Sequence, residues 1–259
     1  IYPIKKQKSQ FQTIITYDQG LINIDTGILG EYKLLFFGQC EPAITQLIKR
    51  TVSPGDVCLD IGANIGALTL IMAFASGKKG RVFALEPHPG MRKRLQANID
   101  LNRLENIQVV PAALTEDLGN SDFYIAEDSY YHQGRSSLKQ LDGLTQKITV
   151  STLNGKGLQK IVGSNTISFI KIDVEGHDCI VLKEIKNIVA ENRPHVVFEY
   201  NKEVWKKHEC TINDAIEYFY DLNYTFYYIK NDLFMPYKKL FPDSCDVLCV
   251  PQRESSIDI

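Results

Sequence analysis

The chain has 259 residues, of which 44% are hydrophobic and 23% charged, with a formal net charge of −2 at pH 7. This length suits one large α/β domain, so we expect residues 1–259 to form a single unit with a sizeable core. The near-neutral charge gives no electrostatic reason to expect a nucleic acid or an anionic membrane as a partner. The six cysteines lack metal-ligand spacing and fit the reduced thiols of a cytoplasmic protein, and no apolar run reaches transmembrane length.

Alternating apolar residues indicate an N-terminal β extension over residues 1–40. The runs at 13–17 and 21–24 flank the turn sequence Asp18-Gln-Gly20, a pattern typical of a β-hairpin. Glu41 then precedes a proline and apolar residues at helical spacing, which predicts a helix. Glu41 is either a first-turn acid favoured by the helix dipole or a group that binds a cofactor.

A buried-strand run, an acid and two glycines follow at residues 57–66. This order predicts a strand, a tight turn and a helix, because Gly62 can adopt turn dihedrals that a side chain forbids and Gly66 lets the helix approach the sheet. The dinucleotide fingerprint would need glycines where the chain has Asn64 and Ala67, so an NAD-dependent oxidoreductase is the weaker alternative. The loop instead resembles the first motif of class I S-adenosylmethionine methyltransferases.

Two acids are predicted to lie side by side at the same sheet edge. The class I resemblance implies that Asp60 accepts from the methionyl ammonium of the cofactor; the alternative is a strand-end acid that bonds local amides. Glu86 ends the strand predicted at 81–86, where one carboxylate can accept from both hydroxyls of a ribose. A helix is predicted over 89–104.

The next predicted strand, 107–114, contains two small residues. Ala112 and Ala113 lie where a flat adenine ring can rest against them, although small core residues look the same. Residues 115–166 then interrupt the alternation of strands and helices. This insertion has a polar stretch at 127–138 whose hydroxyl-bearing and basic side chains suit a hydroxyl-rich acceptor, or else a solvated hairpin tip.

Several titratable groups follow the predicted strands 167–172 and 194–200. Ligands of open α/β sheets bind at the carboxyl ends of the strands, so we expect these groups to face the reactive end of a cofactor. A general base for a hydroxyl acceptor is expected among them; the candidates are Asp173, Glu175, His177 and Glu199. A purely structural alternative is that Glu175 and Asp178 are first-turn helix acids.

By these residues the chain resembles the FkbM family of S-adenosylmethionine-dependent methyltransferases. The matching motifs are Asp60-Ile-Gly-Ala-Asn-Ile-Gly66, Leu85-Glu-Pro87, Ser136-Ser-Leu138, Ile170-Lys-Ile-Asp-Val-Glu-Gly176 and Phe198-Glu199. The resemblance covers roughly residues 30–250, and the segment ending in Asp-Val-Glu-Gly is its most specific part. Asn154 and Asp178 depart from the expected pattern, which bears on the substrate rather than on the cofactor.

The resemblance implies a Rossmann-like three-layer α/β sandwich with a mostly parallel seven-stranded sheet and an antiparallel last strand. It implies O-methylation of a sugar or related polyol of a glycan or secondary metabolite, with S-adenosylmethionine as cofactor. No metal is expected, because the sequence has no compact ligand motif. The cofactor-binding candidates are Glu41, Asp60, Gly62, Asn64, Gly66, Glu86, Pro87, Ala112, Ala113 and Asp173. The acceptor candidates are His132, Arg135, Ser136 and Ser137. A metal-assisted methyltransferase and a non-catalytic cofactor-binding protein also fit these residues.

Overall fold

The structure, a computed structural model, describes residues 12–126, 136–138, 144–237 and 241–252. Strands and helices alternate along most of these residues. The strands are β1 (Gln12–Tyr17), β2 (Gly20–Asp25), β3 (Val57–Ile61), β4 (Arg81–Leu85), β5 (Ile107–Val110), β6 (Ala113–Leu114), β7 (Gly119–Ala126), β8 (Ser136–Ser137), β9 (Leu144–Leu153), β10 (Ile167–Ile172), β11 (His195–Asn201), β12 (Tyr224–Lys230), β13 (Leu233–Pro236) and β14 (Ser244–Pro251). The helices are α1 (Leu29–Phe37), α2 (Pro42–Thr51), α3 (Ala67–Ser76), α4 (Pro89–Leu101), α5 (Gly155–Val162), α6 (Asp178–Glu184), α7 (Lys186–Asn192), α8 (Lys202–Lys206) and α9 (Ile212–Asp221).

The largest sheet has eight strands in the order β13-β12-β14-β11-β10-β3-β4-β5. Its middle strands pair in parallel, whereas β14 is antiparallel to both β11 and β12. The predicted mostly parallel sheet is confirmed, but it has eight strands, not seven. The extra strand β13 forms because Asn231 and Asp232 both have positive φ, which turns the chain back onto β12 as a two-residue hairpin.

The N-terminal hairpin is confirmed as β1 and β2. It packs on α4, because the amides of Leu21 and Asn23 donate to the side-chain oxygens of Asn102 and Asn98 over 2.7 and 2.8 Å. Residues 29–37 of the predicted β extension form helix α1 instead of a strand. This helix brings its own residues to the edge of the main sheet where the site lies.

The strand predicted over residues 107–114 is two strands. β5 ends at Val110 in the main sheet, and β6 pairs with β9 in a separate four-stranded sheet of order β6-β9-β7-β8. Pro111 stands between them and lacks the amide hydrogen that a continuous strand would donate. The predicted insertion thus begins with a sheet of its own, and it also contains helix α5.

The helices cover the main sheet on both faces. Leu59 and Ile61 of β3 belong to one hydrophobic cluster and Cys58 to another, as the alternation of side chains along a strand requires. The helix predicted after β10 is divided into α6 and α7 at Ile185. Across the described ranges, the helices are too short or too polar to cross a bilayer.

Candidate active site

A cavity of about 420 Å³ lies where β3, β4 and β10 reach their carboxyl ends. This size is in the range of small-molecule sites. Most of the predicted cofactor residues line it: Glu41, Asp60, Gly62, Asn64, Glu86, Pro87, Ala112, Ala113 and Asp173. Glu175 and His177 line the same cavity. The structure therefore brings together residues that are up to 136 positions apart in the chain, from Glu41 to His177.

The glycine loop is shaped by two close approaches. A Cβ on Gly62, whose φ is +90°, would lie 1.9 Å from the carbonyl oxygen of Asp173, so only glycine fits beside the end of β10. Gly66 has φ of +91°, and a Cβ there would lie 2.5 Å from Cδ1 of Leu95 in α4. Gly66 is not among the residues that line the cavity. A side chain at this position would meet the neighbouring helix α4.

Glu86 is buried at the end of β4, with 5% of its surface exposed. Its carboxylate accepts the amide hydrogens of Asn64 over 2.8 Å and of His88 over 2.7 Å. Burial raises the pKa of Glu86 to about 7, although both amides act in the opposite direction. A buried carboxyl with this pKa gains from a ligand that donates hydrogen bonds to its charged form.

Asp60 is buried at the end of β3, and its carboxylate accepts a hydrogen bond from the hydroxyl of Thr69 in α3. The structure thus gives it a side-chain partner in place of the local amides that a strand-end acid would bond. Burial raises the pKa of Asp60 to about 6, and the Thr69 hydroxyl and Lys171 lower it. Thr69 had not been predicted, although a buried threonine inside an apolar helix is a readable signal.

Lys171 is the second residue that the sequence had not singled out. Its ammonium is 3.4 Å from Oδ2 of Asp173 and 3.5 Å from Oε2 of Glu41, and its side chain is 2% exposed. Burial raises the pKa of Glu41 to about 7, while Lys171 lowers it. Glu41 has φ of +42° and stands directly before α2, so its role is not that of an ordinary first-turn acid.

His177 precedes α6 and is buried beside a hydroxyl. Its Nε2 lies 3.1 Å from Oγ1 of Thr115, and its ring meets that of His208 edge to face with centroids 5.0 Å apart. Ser137, one of the predicted acceptor residues, is buried, and its hydroxyl donates to the carbonyl of Glu175 over 3.4 Å. β8 therefore joins the insertion to the segment that follows β10.

Glu199 is not among the residues that line the cavity. It pairs in register with Asp246 of β14, and burial together with the charge of Asp173 raises its pKa to about 8. Asp178 is fully buried and accepts from the amide of Gly176 over 3.0 Å, and burial raises its pKa to about 7. Neither acid lines the cavity, and the charge of Asp178 also raises the pKa of Glu199.

Two acceptor candidates, His132 and Arg135, lie outside the described residues, and Ser136 is described only through its pairing with Ile125 in β8. Within the described ranges, no group of three or more His, Cys, Asp or Glu side chains is placed to hold a metal ion. Lys171, Thr69 and Thr115 are the described neighbours that sequence analysis had missed.

The fold and the site together define a Rossmann-like α/β protein whose cavity has buried acids at the ends of its first two parallel strands. The model of the methyltransferase FkbM domain matches residues 60–226, which is more than half of the chain. The chain belongs to the FkbM methyltransferase family. Its motifs had predicted this family, a class I fold and S-adenosylmethionine as the cofactor, and these predictions are confirmed.

Similar proteins are known from both sequence and structure. The chain is 30% identical over 149 residues to the hexuronic acid methyltransferase AglP of Haloferax volcanii, and the match spans 57% of this chain and 57% of that relative. The FkbM methyltransferase structure from Methylobacillus flagellatus has a TM-score of 0.49 at 16% identity, covering 88% of this chain and 56% of that one. The precorrin-6y C5,15-methyltransferase of Geobacter metallireducens has a TM-score of 0.47 at 15% identity, with 82% and 87% covered. Fold likeness of this kind does not identify the acceptor.

Proposed function

We propose that the protein methylates a hydroxyl of a sugar or related polyol within a glycan or secondary metabolite. The observation that carries this proposal is one cavity lined by two buried acids, Asp60 and Glu86, and by the buried imidazole of His177. The relative from Haloferax volcanii is named as a hexuronic acid methyltransferase, which supports a sugar acceptor. A cytoplasmic location and the absence of a nucleic-acid partner stay predictions.

The residues of the cavity fit S-adenosylmethionine. Bound there, this cofactor supplies an electrophilic methyl group on a sulfonium. Glu86 suits the ribose hydroxyls because its carboxylate, held by two amides, keeps acceptor capacity for a diol. Asp60 suits the methionyl ammonium, and Ala112 and Ala113 leave room for the flat base. Gly62 and Asn64 shape the loop between these groups.

The residues after β10 suit the chemical step. A hydroxyl acceptor must lose its proton, and a positioned base contributes about 10²- to 10⁴-fold to such a transfer. His177 is our first candidate, because it lines the cavity and its Nε2 is held by Thr115. Asp173 and Glu175 also line the cavity and orient the hydroxyl in this scheme. Glu199, which lies outside the lining, affects the base through charge.

The insertion at 115–166 is the proposed acceptor side of the site. Phe123 of β7 and Leu138, next to β8, line the cavity, so two parts of the insertion reach it. The stretch at 127–138, which includes His132, Arg135, Ser136 and Ser137, stays a prediction as the segment that contacts the sugar.

A screen of glycan and metabolite acceptors with a labelled methyl donor tests this proposal. We expect label in a sugar hydroxyl, as a methyl ether. Label on nitrogen or carbon would contradict O-methylation. Cofactor binding without turnover on any acceptor would favour a non-catalytic binding protein, and loss of turnover after exhaustive chelation would favour metal assistance. Membership of a methyltransferase family argues against an oxidoreductase.

A further inference from the structure

Lys171 is the buried cation of the cavity. The residue is 1% exposed within β10, in a strand otherwise made of apolar and small side chains. An ammonium in such a place is costly unless charged or polar partners compensate for the lost water. Its partners are the carboxylates of Asp173 and Glu41, with the carbonyl oxygen of Ile172 at 3.5 Å.

These two carboxylates come from distant parts of the chain and both line the cavity. Glu41 is the residue directly before α2, and its backbone has left-handed dihedrals. Asp173 follows β10, and its amide donates to the carbonyl of Ile61 over 2.9 Å, beside the glycine loop. One ammonium thus holds two acids that face the same ligand space.

Further acids surround this ammonium. Burial by itself lowers the pKa of Lys171, but Asp173 and Glu41 raise it well above its ordinary value. Lys171 therefore stays protonated and cannot serve as a base. The other titratable groups whose charge interacts with Lys171 are Cys40, Asp60, Asp178 and Asp246.

We propose that Lys171 is a positioning residue of the cofactor site, whose ammonium holds Glu41 and Asp173 as oriented carboxylates. A cationic ligand then meets more negative charge, and its binding displaces fewer protons. Lys171 lowers the pKa of Glu41 and of Asp60, so without the ammonium these carboxyls take up protons from solvent more readily. Binding of the cationic cofactor must then release those protons to the buffer. This inference rests on the proposed placement of the cofactor in the cavity.

Isothermal titration with S-adenosylmethionine at pH 8, in two buffers of different ionisation enthalpy, counts the protons released on binding. We expect Lys171→Met to bind about tenfold more weakly and to release more protons than the wild type. Lys171→Arg keeps the charge and should keep the wild-type proton count. The matched control is Lys202→Met, because Lys202 pairs with Asp243 on the exposed surface at 2.9 Å. An unchanged proton count in Lys171→Met, whatever its affinity, would overturn the inference.

A second pair of variants covers the case in which Lys171→Met does not fold. Glu41→Gln removes one of the charges that the substitution would leave unpaired, so we expect the Glu41→Gln/Lys171→Met double variant to fold more readily. It should still release more protons than Glu41→Gln alone, since Asp60 remains and Lys171 lowers its pKa. Equal counts in this pair would also overturn the inference. Failure of the proposed cofactor placement has a different signature, namely unchanged affinity in Asp60→Ala and Glu86→Ala.

Discussion

The two sides of the cavity hold their carboxyl groups in different ways. At the ends of β3 and β4, Asp60 and Glu86 each have their own uncharged donors, a hydroxyl and a pair of amides. At the end of β10, Glu41 and Asp173 share the single ammonium of Lys171. The first side is built from local loop and helix contacts, and the second from contacts between segments far apart in the chain. We call the first the binding side; on the second side, cofactor binding depends on one shared charge.

The largest expected effect is on the proposed general base, His177. His177→Gln should lower kcat by about 10²- to 10⁴-fold and leave the dissociation constant of S-adenosylmethionine unchanged, because a general base acts in the transition state. The ascending limb of the pH–rate profile should vanish in the same variant. Steady-state kinetics across pH, with the cofactor affinity from calorimetry, measures both.

Two further variants test whether the loss of kcat belongs to the His177 imidazole itself. Thr115→Val removes the hydroxyl 3.1 Å from Nε2 and should give a smaller loss of kcat with the pH limb retained. His208→Phe keeps an aromatic ring beside His177 and is the matched control, with kcat close to the wild type. If His177→Gln keeps the wild-type rate and limb, the base is to be sought among Asp173, Glu175 and Glu199.

The binding side should respond in affinity alone. Asp60→Ala and Glu86→Ala each remove charge-assisted hydrogen bonds of about 1.5–3 kcal/mol, so the dissociation constant of S-adenosylmethionine should rise tenfold or more. The control is Asp56→Ala, since Asp56 lies at the other end of β3 and accepts from Ser53 and Ser168. Calorimetry at matched thermal stability measures the change, and wild-type affinity in both cavity variants would refute the assignment.

A substitution of Gly66, the second glycine of the loop, can distinguish a role in packing from a role in ligand contact. Gly66→Ala combines a positive φ with a Cβ only 2.5 Å from Leu95, so it should destabilise the fold by about 2 kcal/mol. Gly38→Ala has a positive φ but open space around its Cβ and should cost about half as much. Denaturant unfolding compares the two variants. A cofactor affinity that falls much further than stability in Gly66→Ala would show that Gly66 serves the ligand.

Sequence patterns predicted the binding side well, because local rules fix it. The strand, glycine turn and acid at residues 57–62 follow from dihedral limits and from the edge at which parallel strands end. Pro111 indicates the break between β5 and β6, but the apolar run 107–114 around it is typical of one continuous strand. The turn at Asn231 and Asp232 was a similar, readable signal for β13.

The ion pairs of Lys171 with Glu41 and Asp173 could not be predicted from local patterns in the same way. A lysine inside the buried run 167–172 is itself unusual, but its partner Glu41 is 130 positions away in the chain. The contact of Thr115 with His177 likewise depends on how the insertion packs against the segment after β10. Helix α1 has no amphipathic pattern, and it leaves Phe36 and Phe37 mostly exposed, so periodicity gave no indication of it.

The last expected effect concerns the stability of the ligand-free protein. Burial raises the pKa of Glu86 from 4.5 to about 7, so the folded chain binds this proton more tightly than the unfolded chain does. Between these two values a rise in pH removes the proton at the expense of the folded state. The stability that Glu86 contributes is thus complete below pH 4.5 and lost above about pH 7. Asp60 acts in the same direction, with a pKa of about 6.

Glu86→Gln isolates this contribution because the amide carries no charge at either pH. From pH 5 to pH 8 the free energy of unfolding should fall by about 2.5 kcal/mol more in the wild type than in the variant, at about 1.4 kcal/mol for each pKa unit. Urea unfolding at both pH values measures the difference, with the exposed Glu203→Gln as control. Identical pH dependence in wild type and Glu86→Gln would contradict the raised pKa. Because the same variant should bind S-adenosylmethionine more weakly, a more stable but weaker-binding protein at pH 8 would show that the buried charge serves the ligand at a cost to the fold.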